Sequence, residues 1–291
     1  VGVIHGIKRR SSSGPANAWG LVIESNADGT RPANAWGTVV TPGLNTYGAY
    51  TQILAATSGA TYLCRIWLDS FTVLTTARDA LVTIGIDLAG GTSFTDFIVD
   101  LTASCASTYG IGGGFLYEFP VYIPAGASLG AKASVNAATA GTGRVSMVLF
   151  GAPTRSDLIK YGTLVRTFGS TPASSSGTAI TEGTVSEGAW TQVGSALVET
   201  LWAWEFGICF NNLTMANTVH HVDIAVGNAG TKRVVLFNGI AAQTTAEALS
   251  KPTSSVSVGA GNSGDLVYMR LQSGPNISPA GASVIAYAVG G

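Results

Sequence analysis

Charge is scarce in this chain. Of its 291 residues only 11% are Asp, Glu, Lys or Arg, and the formal net charge is −1. Phosphate recognition needs many clustered Lys and Arg, so nucleic acid is excluded as a general partner. Cysteine and histidine are just as rare, at 3 residues each. Cys64, Cys105 and Cys209 cannot all pair within one chain, and isolated cysteines read as buried free thiols. No apolar run approaches the ~20 residues of a membrane-spanning helix, so membrane insertion is not expected. The N-terminal VGVIHGIKRR sets its basic residues after its apolar stretch, opposite to a secretory signal, so export by the ordinary route is not expected either.

A catalytic constellation is missing too. His5 lies near the N-terminus, and His220 and His221 are adjacent in an extended run, where successive side chains face opposite sides of a sheet. They cannot readily chelate one ion, and no Cys, Asp or Glu cluster completes a metal site. One buried and one exposed histidine is the expectation. GIGGGF at residues 110–115 lacks the Lys-Ser/Thr ending of a P-loop, and residues 110–114 read as a loop. Asp87, Asp96, Asp100 and Glu118 have the residue type of glycosidase acids, but none meets a carboxylate 140 positions later. The chain is therefore expected to be non-enzymatic and to need no cofactor.

What the sequence has in abundance is repetition. GTRPANAWGTVVTPGLNTYGAYTQILAA at residues 29–56 returns as GSTPASSSGTAITEGTVSEGAWTQVGSA at residues 169–196, a spacing of 140 held without a gap. Val82, Ile84, Ala89 and Gly90 likewise meet Val222, Ile224, Ala229 and Gly230, and Gly151 falls over Gly291. Two tandem units are expected, residues 12–151 and 152–291, behind an arm of residues 1–11. Each unit is long enough to bury roughly two thirds of its unfolded surface.

Along the chain, PANAWG occurs at residues 15–20 and again at 32–37, each time before an extended run, as turn chemistry followed by a strand. The second unit keeps PASSSG at residues 172–177, whose SSSG is read as part of an extended leading segment. Val82, Ile84 and Ile86 share one face of a strand over residues 81–88, and Val222, Ile224 and Val226 reproduce it. Ala-Gly-Gly and Asn-Ala-Gly then turn the chain into further strands. Short strands at regular spacing, about eight per unit, without a persuasive amphipathic helix, predict an all-β protein of two tandem jelly-roll-like sandwiches.

Low charge also fits surface covered by neighbouring subunits, the alternative being a secreted β-protein with a neutral Ser- and Thr-rich surface. The basic triplet Lys8, Arg9 and Arg10, together with Trp19 and Trp36, is the expected assembly contact. Trp202 and Trp204 share a face if WAWEF is a regular strand, which suits either a packed core or a sugar platform.

The aromatic-Thr-Gln opening, the Ile-rich strand with its Ala-Gly turn, and FPVYIPAGASLGAKASV followed by RVSMVLFG resemble virion structural proteins of tailed bacteriophages. Those contain jelly-roll-like sandwiches in which an Ile-Pro-Ala-Gly turn, here Ile123, Pro124, Ala125 and Gly126, precedes the last strands. The second unit departs, with VSVGAGNSGDLVYMRLQSG at the equivalent place and SPAGAS later. The resemblance implies a building block of the particle, in head decoration, neck, collar or tail, made in the host cytoplasm and partnered by its own copies and other virion proteins. A receptor- or carbohydrate-binding adhesin, with Trp202 and Trp204 facing a host-surface glycan, is the alternative.

Overall fold

Alternating apolar residues bounded by Gly, Pro and Asn leave little but strands available, and strands dominate the computed structural model. It describes residues 22–25, 37–72, 78–105, 115–136, 141–152, 160–184, 186–210, 218–243, 256–257, 259–274 and 282–291. In the first half these form β1 (Val22–Ser25), β2 (Thr38–Val40), β3 (Gly43–Leu44), β4 (Thr51–Leu54), β5 (Leu63–Thr72), β6 (Arg78–Asp87), β7 (Thr95–Cys105), β8 (Phe115–Phe119), β9 (Ser128–Val135) and β10 (Thr142–Phe150). In the second half follow β11 (Leu164–Phe168), β12 (Thr178–Ile180), β13 (Thr191–Gly194), β14 (Leu201–Phe210), β15 (Thr218–Gly227), β16 (Lys232–Gln243), β17 (Val256–Ser257), β18 (Leu266–Ser273) and β19 (Ala282–Gly290).

Four sheets result. Sheet I runs β1-β10-β5-β8 with β2 also on β10, and sheet II runs β3-β9-β6-β7 with β4 also on β9. The eight strands β2-β10-β5-β8 and β4-β9-β6-β7 have jelly-roll connectivity. Sheet III holds β11 and β12 on one side of β19 and β14 on the other, and sheet IV runs β13-β18-β15-β16-β17. The same pairing scheme thus recurs, with one exception: β8 borders β5 in sheet I, whereas β17 borders β16 in sheet IV.

The recurrence reaches single residues. Ile84 lies opposite Ala131 and Ile98, and Ile224 lies opposite Met269 and Leu236. Each neighbouring strand bulges at a non-glycine residue with positive φ, Asp100 at 62° and Asn238 at 49°. A side chain staples each bulge: the Asp100 N–H donates to Thr83 Oγ1 at 3.3 Å, and the Asn238 N–H donates to Asp223 Oδ1 at 2.8 Å.

Ile66, Leu68, Ile84, Leu101 and Met147 lie in the buried core of the first half, and Trp204, Phe206, Ile208, Val226 and Met269 in that of the second. Burying each such side chain is worth about 1.5–3 kcal/mol. Outside sheet II, aromatic rings lie on glycines: a Cβ on Gly85 would sit 2.5 Å from the Tyr50 ring, and one on Gly130 2.8 Å from Phe94.

Three expectations are corrected. The strands outnumber eight per half because short leading strands such as β1, β3 and β11 also pair. SSSG is not extended, since Pro172 starts a 3₁₀ turn over Pro172–Ser174 and Ser175 takes a left-handed φ of 51°. The second half also does not depart at the Ile-Pro-Ala-Gly turn. Gly126 (φ 84°) donates its N–H to Thr57 O, and Gly264 (φ 92°) donates to Leu197 O, both at 2.8 Å. That turn needs only a glycine free to adopt positive φ, which GNSGD supplies as well as IPAGA.

Candidate functional site

β7 ends sheet II, so its outward backbone groups need partners other than a strand. Sheet III provides them from its face. The buried Tyr287 hydroxyl donates to Asp100 O at 2.7 Å and accepts from the Thr102 N–H at 3.1 Å. Thr167 Oγ1 donates to Val99 O at 2.6 Å. The Tyr287 ring stands edge-on to Tyr117 and Phe119, centroids 5.6 and 6.1 Å away, and the Tyr117 hydroxyl donates to Thr102 O at 2.7 Å.

Gly207 makes this approach possible, because a Cβ there would lie 2.7 Å from Thr102 Oγ1. Further along, the Ser134 and Ser175 hydroxyls bond at 2.6 Å. At the other end the Tyr122 N–H donates to Gly162 O at 2.8 Å and the Gly162 N–H donates to Pro120 O at 2.9 Å. Burial pushes the Tyr117 and Tyr287 phenols above their usual range and does the same to the Cys64 and Cys209 thiols, both free. The two halves are joined by a seam of hydroxyls and rings, and β19 is buried on both of its faces.

Each side of this seam has a counterpart elsewhere. Val40 lies opposite Gly143 as Ile180 lies opposite Ala282, and Ile66 opposite Met147 as Phe206 opposite Ala286. Val148 therefore stands where Tyr287 stands, and Trp67 where Gly207 does. Among the described residues nothing covers Trp67 as the seam covers Gly207: it is 47% exposed, with Val39 on the neighbouring strand pair 41% exposed. Arg65 stacks over Phe150 at 5.4 Å and pairs with Glu118 on the same face. On the other side, β16 matches β7, so Phe237 and Asn238 correspond to Val99 and Asp100. Asp100 is 3% exposed, whereas Asn238 is exposed and Phe237 is 48% exposed.

A second repeated feature lies outside sheets II and IV. Lys132 Nζ sits 4.7 Å over Tyr50 and 4.9 Å over Tyr47 and bonds Asp96 at 2.7 Å. Arg270, at the matching position, sits 4.3 Å over Trp190, grips Asp223 through Nε at 3.0 Å and Nη2 at 2.8 Å, and pairs with Glu187. Burial opposes the Asp96 charge, yet its bonds from Lys132 and Tyr50 hold its carboxyl below the usual range. These cations and carboxylates satisfy one another, so the clusters clamp β4 and β13 to their sheets.

Of the residues singled out from sequence, Lys8, Arg9, Arg10, Trp19 and Trp36 lie outside the described residues, as do His5 and the 110–114 loop. Trp202 and Trp204 do not share a face. Ala203 bulges at φ 49°, so Trp202 lies opposite Val289 and Trp204 opposite Ala288, neighbours that point to opposite sides of β19. Trp204 is 3% exposed in the core beside Phe168. Trp202 is half-buried under Lys160 Nζ at 4.8 Å and lines a shallow depression of about 350 Å³ with Ala203, Gly259 and Ala260.

His220 and Glu182 form a fully buried pair, Nδ1 to Oε2 3.2 Å, while His221 is half-buried. Asp87 is spent on its turn, accepting from the Ala89 and Ser93 N–H groups at 2.9 and 2.8 Å. The seam residues Tyr287 and Thr167 carried no sequence signal, because each bonds backbone far away along the chain.

Among the described residues no helix is long and apolar enough to cross a membrane. No family model matches the chain, and no curated protein matches it. Among solved structures, that of PNGF-II aligns with 93% of this chain at 9% identity and a TM-score of 0.39. The alignment covers 65% of that structure, so the chain spans just under two thirds of its length. The PBSX exported protein XepA aligns with 87% of this chain and 84% of its own at 13% identity and a TM-score of 0.20. Both likenesses are remote.

Proposed function

We propose that the chain is a non-enzymatic structural protein of a tailed-phage virion, made of two duplicated sandwich units, residues 12–151 and 152–291, behind an arm of residues 1–11. The observation that carries this reading is the seam. It fuses two similar sandwiches into one body and leaves large apolar side chains, Trp67 and Phe237, exposed on the matching surfaces. A protein that works by packing against others needs such surfaces. His220 and Glu182, of general acid–base type, are sealed from any substrate. Its partners are other copies and other virion proteins, and its place is the particle. Imaging and light scattering of the purified chain, with and without residues 1–36, test the reading. A defined oligomer that loses order on truncation is expected, and a stable monomer indifferent to it overturns the proposal.

The rival reading is a carbohydrate-binding virion adhesin that holds a host-surface glycan. It now draws on Trp202 and its depression rather than on a Trp202–Trp204 platform. Glycan-array binding abolished by Trp202→Ala would establish it.

A further inference from the structure

We infer that copies of this chain join head to tail, the β16 edge around Phe237 and Asn238 of one copy seating on the sheet I face around Trp67 of the next. This names the surfaces of the assembly role proposed for the chain and rests on it. Within one chain the edge of β7 docks on the face of sheet III, burying Asp100 and Thr102 against Tyr287 and Gly207. Among the described residues the same kind of edge, paired in part by β17, and the same kind of face, left partly exposed, occur a second time at opposite halves of the molecule. The edge is β16, with Phe237 48% exposed, and the face is sheet I, with Trp67 47% exposed. An edge on one half and a face on the other are complementary to each other rather than to themselves, so the contact is heterologous and propagates until it closes.

Two departures define how the contact between copies differs from the seam. Trp67 replaces Gly207, so an approach as close as that of Thr102 is blocked, and contact is made through the indole, with Phe237 as its counterpart ring. β17 pairs Leu236 and Phe237, and among the described residues no strand pairs that edge of β16 from Asn238 onward. Val148 takes the place of Tyr287 and offers no hydroxyl, so the polar groups that can meet the edge's backbone are Arg65 and Glu118, on the same face as Trp67.

The test uses full-length chains carrying Trp67→Glu or Phe237→Glu, with far-UV circular dichroism to show that each is folded, and Trp67→Ala or Phe237→Ala in place of one that melts early. Sedimentation velocity over a concentration series should show the unmodified chain growing beyond dimers. Each variant alone should associate roughly 30-fold more weakly. Mixed in equal amounts they should form 1:1 dimers and nothing longer, because one intact edge and one intact face remain. Variants that assemble like the parent overturn these surfaces while leaving the assembly role standing. A mixture that fails to dimerise overturns the head-to-tail contact. A parent chain that stays monomeric up to its solubility limit overturns both.

Discussion

Tyr287 concentrates the chemistry of the seam in one hydroxyl, which satisfies a carbonyl and an N–H of an edge strand in the other half. Tyr287→Phe keeps the ring against Tyr117 and Phe119 but leaves the Asp100 carbonyl and the Thr102 N–H short of a partner. A loss of about 1–3 kcal/mol is expected from urea unfolding, and an unchanged midpoint would sink this account. The same phenol also sets a pH limit. Burial raises the folded pKa of Tyr117 and Tyr287 above the ordinary phenol value of about 10. Their contribution is therefore complete below that pH and is lost as pH rises beyond it. The tyrosinate absorbance of these two rings should appear only together with loss of near-ultraviolet dichroism. Full ionisation near pH 10 in a still-folded chain would contradict it.

At the scale of the element, the bulges decide where side chains point. Asp100 and Asn238 take positive φ with a stapling side chain each, but Ala203 does so with a methyl group, a conformation that costs an L-residue about 1–2 kcal/mol. Ala203→Gly removes that strain and gives back part of it as unfolded-chain entropy, for a net gain of about 0.5–1 kcal/mol. A lower melting temperature for this variant would show that Ala203 holds its bulge by packing instead. The bulge is also why Trp202 and Trp204 part company. Alternation in WAWEF implies one shared face, and an inserted residue reverses that without leaving a mark in the hydrophobic pattern.

For the whole molecule, the seam predicts coupled unfolding. Residues 152–291 expressed alone would expose Ile285, Tyr287 and Cys209, all buried in the chain, and should be markedly less stable or aggregate. Calorimetry of the full chain should show one transition, and two resolved peaks would mean that the halves are energetically independent. The 140-residue repeat read from sequence matches the strand pairing closely: β2 and β12, β4 and β13, and β6 and β15 begin 140 positions apart. It drifts late, since Ala131 and Met269 take equivalent places at a spacing of 138, because turns absorb small deletions without disturbing register.

The sequence by itself determined the all-β class, the positions of the strands and the recurrence of their order, because period-two burial and turn chemistry are written locally. It also held the turn at Gly264, unread because the residues around the glycine differ from those at Gly126. Only the tertiary structure decided which outer face of each sandwich is covered. β10 and β19 occupy the same place in their sheets, yet β10 leaves Thr142, Arg144, Val148 and Phe150 at least partly exposed and β19 is buried throughout. The difference lies in what packs against them, and the Tyr287 hydroxyl meets its partners 185 and 187 positions away along the chain. Contacts at that range depend on the docking of two finished sandwiches, and no local pattern encodes it.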